Sequence, residues 1–407
     1  LDKEKIFEVE LSRWIPSGAN PSVEIALPAT PYELADALDR AGITGDTVYS
    51  AEVLSYQLDY LPQFIQPDIN LHELNHLAQR LSSLSAWELD CFEGMVMMDT
   101  VQTQYAPIPL ERLINMIHSM AHCQVAYEAH DDASLGKFYA DNDFVPALEK
   151  VSDEVYAYLD FGKIGKEMRE GEGGVFTPRG YVVQNGEIAA EYHSDDASTL
   201  DKPDYAVLLR VTKGYFNGSA QGSEPVVYLK LPATDAALIK AMDAVEVASP
   251  EECAFSAEDC MVPFLTDKIN DALYASEGDC YGLVNELAEQ LRQLEMENRL
   301  PTYKAMLEEA PGDLSLEEAL DLASMTEEFK LLSDSPAEYA KKEIQRMLSV
   351  GSDYGLNKFC DLEGYGRYLL EQRGVAETSY GMLEPQNGMT VEQCLNRPSQ
   401  SFGMEMK

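Results

Sequence analysis

Hydrophobic and polar residues alternate where the chain begins. Residues 7–11 and 22–29 are rich in β-formers with a period of two, which predicts two strands. The period then changes. Thr30, with Pro31 behind it and Glu33 three places on, is a capping box that starts a helix. Residues 47–56 alternate again, as a third strand closing a small α/β unit. Beyond it, Leu71, Leu74, Leu77, Ala78 and Leu81 recur at helical spacing. Further helices are predicted over 86–99, 110–121 and 132–141. Another starts at Asp160, before a hairpin-like GEGGVFTPRGYVVQNG.

The same pattern recurs. Leu27-Pro28-Ala29-Thr30 returns as Leu231-Pro232-Ala233-Thr234, with a strand before it and a helix after it. Ser50-Ala51-Glu52 matches Ser256-Ala257-Glu258. The helical spacing of Asn75, Leu77, Ala78 and Leu81 matches that of Asn285, Leu287, Ala288 and Leu291. Leu110-Glu111-Arg112-Leu113 matches Leu316-Glu317-Glu318-Ala319. Asp160, Gly165, Gly173, Thr177 and Gly180 match Asp361, Gly366, Gly374, Thr378 and Gly381 at one constant offset. Repeats at a fixed order indicate a tandem duplication. The expected fold class is therefore α+β, each copy an elongated array of three small subdomains: α/β, helical, α/β.

Copy one is divided at 1–60, 61–122 and 123–190, followed by a linker at 191–203 whose HSDDASTLDKPD composition suits one. Copy two is divided at 204–265, 266–330 and 331–385, with a tail at 386–407.

Charge changes the picture most. The 407 residues hold 71 Asp and Glu against 30 Lys and Arg, a formal net charge of −41. Residues 1–200 carry 34 acids and 12 bases and residues 201–407 carry 37 and 18, so no single acidic tail explains it. With 45% hydrophobic residues the chain is globular rather than disordered. Such a charge repels nucleic acid and anionic membrane and attracts basic surfaces. It equals the phosphate charge of roughly 20 base pairs of duplex. A solubilising surface is the plainer explanation.

Seven cysteines without a C-x-x-C pair fit buried thiols in a reducing cytoplasm. No apolar run approaches the length of a membrane span. The expected location is cytoplasmic.

Carboxylates cluster at Glu33, Asp36 and Asp39, then at Asp59, Asp68, Glu88, Asp90, Glu93 and Asp99, a region where Arg80 is the only base between 51 and 111. In copy two the cluster is Asp243, Glu246, Glu286, Glu289, Glu295 and Glu297. These form a candidate partner-binding surface.

His72-Glu73-Leu74-Asn75-His76 has the H-E-x-x-H spacing of a zinc hydrolase, with His118 and His122 a second pair one helical turn apart. The matching positions of copy two are Gly282, Leu283 and Glu286, then Ser324 and Glu328. The expectation is a core helix and no metal, with the zinc hydrolase as an alternative. Gly171-Glu172-Gly173-Gly174 lacks the Lys-Ser/Thr of a P-loop and reads as turn glycines. Asp131-Asp132 and Asp195-Asp196 lack calcium-loop spacing. No nucleophile motif is present, so no enzyme and no cofactor are expected.

The strand–LPAT–helix opening, the helix with Asn285, Leu287, Ala288 and Leu291, and the closing Asp361-Leu362-Glu363-Gly364-Tyr365-Gly366-Arg367 together resemble ArdA-type antirestriction proteins of mobile genetic elements. The resemblance touches both copies. It implies a curved acidic rod that imitates bent DNA and occupies the DNA groove of a type I restriction-modification enzyme, without cofactor or active site. Members of that family correspond to one copy and act as dimers, so this chain is expected to be a covalent pseudo-dimer within one chain, or a homodimer of it. An acidic decoy for another basic or DNA-binding host protein is the remaining alternative.

Overall fold

The computed structural model describes residues 4–14, 22–45, 47–65, 69–102, 107–148, 151–194, 202–214, 225–275, 280–332, 334–347 and 359–396. The chain is mixed α+β and divides into two compact units. Unit 1 comprises Leu1–Ala29 and Gly45–Asp201; unit 2 comprises Thr30–Thr44 and Lys202–Lys407.

In unit 1, β1 (Phe7–Arg13) is the centre of an antiparallel sheet, flanked by β2 (Ser22–Leu27) and β3 (Tyr49–Tyr56). Alternation puts Phe7, Val9 and Leu11 inward, and all three are buried. Helix α2 (Leu71–Leu81) starts at Asn70, whose side chain accepts from the His72 and Glu73 amides. Its Asn75 is buried and clasps the end of β2, accepting from the Ala29 amide at 2.7 Å and donating to the Ala29 carbonyl at 3.0 Å. Helix α3 (Ala86–Gln102) runs three residues past its expected end and packs on a second sheet, β4 (Cys123–Ala126), β6 (Gly180–Gln184) and β5 (Val175–Thr177).

Helices α5 (Asp132–Asp141) and α7 (Phe161–Glu172) cross closely. A methyl added at Gly165 would lie 1.8 Å from the Asp132 carbonyl oxygen. That contact explains why a glycine is needed there.

Unit 2 repeats much of this geometry. Its first sheet has β7 (Val207–Lys213) between β8 (Val227–Leu231) and β9 (Cys253–Cys260). The register breaks between Glu8 and Val9 in β1 and between Leu208 and Leu209 in β7, and both units carry a cis Leu-Pro bond. Glu52 and Ser256 occupy equivalent positions, opposite Glu10 and Arg210, so Ser256-Ala257-Glu258 sits two residues away from its sequence match to Ser50-Ala51-Glu52. Asn285 accepts from the Ala233 amide as Asn75 does from Ala29. The second sheet is β10 (Phe329–Leu332), β12 (Gly381–Pro385) and β11 (Ala376–Thr378), and Thr378 Oγ1 donates to Gly381 as Thr177 does to Gly180.

Some segments hold more structure than the pattern of the sequence indicates. Helix α9 (Phe264–Ala275) follows β9, whereas among the described residues no helix lies between β3 and α2. The expected tail contains α15 (Val391–Leu395), whose Val391 and Cys394 enter the unit 2 core. The expected linker begins packed: Tyr192 is buried and its amide donates to Asn115 Oδ1 at 2.8 Å. Asp68, Asp195 and Asp196 lie outside the described residues. None of the seven cysteines is in a disulfide, and five of them are buried.

Helix α1 (Pro31–Arg40) belongs to unit 2. Thr30 accepts from the Glu33 amide, and the Glu33 carboxylate accepts from the Thr30 amide, completing the expected capping box. Tyr32 is buried in the unit 2 core and its hydroxyl donates to the Tyr205 carbonyl.

Candidate partner-binding surface

The register of the first sheet brings three glutamates into a line. Glu10 in the central strand stands opposite Glu24 on one side and Glu52 on the other. Residues directly opposite share a face, with strands about 4.8 Å apart, so the carboxylates crowd one another across the sheet. Glu24 and Glu52 are exposed and Glu10 is half-buried. Glu8, also exposed, accepts from the Ser55 hydroxyl at 2.8 Å. Arg13 is the only Lys or Arg within β1, β2 and β3. None of these glutamates was among the acids singled out along the sequence. The signal was present in the polar phase of the alternation, but the row needs the strand register to become visible.

The acids that sequence clustering selects fall into three groups. Asp39, Asp59, Asp243, Glu246, Glu286, Glu289 and Glu297 are exposed and can meet a partner. Glu286, Glu289 and Glu297 lie on or just beyond α10 (Cys280–Met296), whose Val284, Leu287, Ala288, Leu291 and Leu294 are buried.

A second group is engaged locally. Glu33 caps α1, and Glu88 accepts from the Ser85 amide at 2.7 Å, which holds its carboxyl below the ordinary value. Glu295 pairs with Lys202 at 2.6 Å and Arg292 at 3.0 Å. Glu297 also accepts from Gln293. Asp90 accepts from the Tyr127 hydroxyl at 3.0 Å, with Arg179 at 3.9 Å. Glu93 is half-buried nearby, and its carboxyl is pushed up by burial and then by the Asp90 charge.

The third group is buried and corrects the sequence expectation. Asp99 is 4% exposed and accepts from Arg112 Nε at 2.6 Å. Asp36 is 7% exposed; Lys304 Nζ lies at 2.7 Å, Arg40 Nε at 3.2 Å, and the Tyr380 hydroxyl donates at 2.9 Å. Lys304 is itself 5% exposed and also approaches Asp39 at 3.4 Å. A carboxylate sealed in such a network cannot face a partner; its charge is spent holding α1 in unit 2. Beside it, Asp259 is 3% exposed and accepts from Thr30 Oγ1 at 2.7 Å and the Tyr205 hydroxyl at 2.9 Å, while burial raises its carboxyl above the ordinary value.

Glu73 is buried and accepts from Ser194 Oγ at 2.7 Å. His76 stacks on Tyr192 with ring centroids 5.2 Å apart. His72 Nδ1 is buried without a hydrogen-bond partner, and burial lowers the pKa of both rings. His118 ends α4 (Leu110–His118) and faces Glu191 at 3.6 Å, whereas His122 lies in a 3₁₀ turn beyond it. The helical spacing expected of that pair is lost because α4 stops at Ser119. Among the described residues no three His, Cys, Asp or Glu side chains are arranged to hold a metal ion.

The glycine run is a helix end: Gly173 adopts φ 73° as the left-handed cap of α7. Asp131 caps α5 through the Ser134 amide, and Asp132 pairs with Arg169 at 2.7 Å.

No family model matches the chain, and no curated protein matches it. Among the described residues no helix is long and apolar enough to cross a membrane.

Proposed function

We propose that this protein is an acidic DNA mimic of the ArdA antirestriction kind, which binds the DNA groove of a type I restriction-modification enzyme and blocks cleavage. The observation that carries this reading is the row Glu24–Glu10–Glu52. Like charges directly opposite one another on a sheet weaken it. Folding gives no reason to gather them, whereas a groove lined with Arg and Lys does. The exposed carboxylates of α10 add to that charge, and the net −41 supplies the long-range attraction.

The reading includes a tandem duplication of one α/β, helical, α/β module. It is supported by the two first sheets, which share strand order, register break, cis Leu-Pro and asparagine clasp. On this reading the protein is cytoplasmic and performs no catalysis.

The test is cleavage of unmodified DNA by a type I restriction enzyme with increasing amounts of this protein. Stoichiometric inhibition that weakens with salt is expected. Undiminished cleavage at excess protein overturns the reading, and inhibition of another DNA-binding protein alone redirects it to a different basic target.

A further inference from the structure

Helix α3 lies close on the second sheet of unit 1. A methyl added at Gly94 would lie 2.3 Å from a methyl carbon of Val182 in β6, so this approach depends on glycine. Cys91 stands one helical turn before Gly94, on the same face. In the sheet, Val125 is opposite Val182 and Cys123 is opposite Gln184, so alternation places Cys123 on the face that α3 covers. Two thiols from separate elements therefore meet. The Cys91 thiol hydrogen-bonds to Cys123, and Cys123 Sγ donates to the Cys91 carbonyl at 3.9 Å. Both side chains are buried.

The contact makes the two sulfurs unequal. A thiolate at Cys123 accepts from the Cys91 thiol and from the Gln124 amide, and these outweigh burial and lower its pKa. The Cys91 thiol is pushed up, first as donor to Cys123 and then by burial. Where burial dominates, the effect on a cysteine is the opposite of that at Cys123: it raises Cys253 to about 11 and Cys260 to about 12. Packing does not require a thiol at this point of the fold. In unit 2 the strand β10, which also follows a 3₁₀ turn, starts with the buried Phe329.

We propose that Cys91 and Cys123 form a peroxide-sensitive pair, reduced at rest and joined as a disulfide when peroxide is present. The Cys123 thiolate attacks one peroxide oxygen and the O–O bond breaks. The departing hydroxide takes up the proton that Cys123 gave up, and Cys123 becomes a sulfenic acid. The Cys91 sulfur then attacks the Cys123 sulfur. The S–S bond forms, the S–O bond breaks, and the hydroxyl leaves with the Cys91 proton as a second water. Each sulfur loses one electron, and the peroxide takes up both. Access comes from the sheet edge. Strand β4 has four residues, is bonded only to β6 among the described strands, and begins at Cys123, so local opening exposes that sulfur.

The test is to treat the folded full chain with hydrogen peroxide, block the remaining thiols after denaturation, and weigh the tryptic peptides. Peptide 81–112 joined to peptide 113–137 is expected, lighter than the reduced pair by two hydrogens and separated again by a dithiol reductant. In Cys91→Ser no second thiol resolves the sulfenic acid, so dimedone should label Cys123 roughly tenfold more than in the native chain. In Cys123→Ser, Cys91 should stay unlabelled. Circular dichroism confirms that both variants are folded. The proposal is overturned if both thiols stay reduced in the folded native chain, if they pair with other cysteines, or if they join only after unfolding. Equal labelling of the two variants overturns it as well, because the sulfurs would then not differ. No restriction enzyme enters the readout, so failure here and failure of the antirestriction reading are separate results.

Discussion

The two first sheets share a backbone plan and differ in what they present outward. Inward positions keep one character: Phe7, Val9 and Leu11 in β1 correspond to Val207, Leu209 and Val211 in β7, all buried. Outward, the row Glu24–Glu10–Glu52 corresponds to Tyr228–Arg210–Ser256. The inner face is constrained by packing, where a one-residue slip would expose the core. The outer face is constrained only by what it meets. Three facing glutamates in one sheet, with none at the corresponding positions of the other, suit the partner proposed for the first.

The comparison can be broken most severely at the buried charges. Lys304→Ala leaves Asp36 enclosed with only Arg40 and Tyr380, and should cost about 3 kcal/mol in chemical denaturation. Glu93→Ala on the unit 1 surface should cost far less, because its site is half open. Equal effects would mean that the two surfaces are equally enclosed. Next comes Gly165→Ala, where the added methyl must displace α5 from α7; a loss of about 1–3 kcal/mol is expected. Gly171→Ala, which meets open space, serves as its control.

Acid should separate the units. His72 and His76 have pKa values lowered by burial, so the unfolded chain binds their protons more readily. Their contribution to stability is present above about pH 6.5 and lost as pH falls through the lower folded values. All six histidines lie in residues 1–200. Hydrogen exchange between pH 7 and pH 5 should therefore show α2 opening before α10, and replacing both rings by Gln should remove the difference.

The smallest effect is expected at Glu10→Gln, which relieves repulsion in the row. It should stabilise the sheet by about 0.2–1 kcal/mol while weakening attraction to a basic partner. Stability and binding moving in opposite directions would mark the row as functional.

Much of the fold was legible because it is local. The capping box of α1, the apolar stripe of α2 and the hairpin Thr177-to-Gly180 depend on neighbours within a turn or two. Charge placement was not legible. Asp36 looked like one member of an acidic helix face, but its partner Lys304 is 268 residues away in sequence. Asp99 looked exposed in a base-poor region, yet it is buried and paired with Arg112 just beyond that region. The glutamate row was hidden for the converse reason: its three members lie on separate strands and meet only through register. One helical turn is enough to satisfy H-E-x-x-H, whereas burial of Glu73 against Ser194 and stacking of His76 on Tyr192 are tertiary events. The Ser-Ala-Glu match misled as a chance triplet that register displaces by two residues.

The most direct measurement is displacement of a labelled duplex from a type I restriction enzyme, comparing the native protein with a chain in which Glu10, Glu24 and Glu52 are all glutamine. The native protein should displace the duplex, more weakly as salt rises, and the triple variant should need at least tenfold more protein while remaining at least as stable. Equal displacement by both would contradict a role for the row, and displacement by neither would contradict DNA mimicry toward this enzyme class.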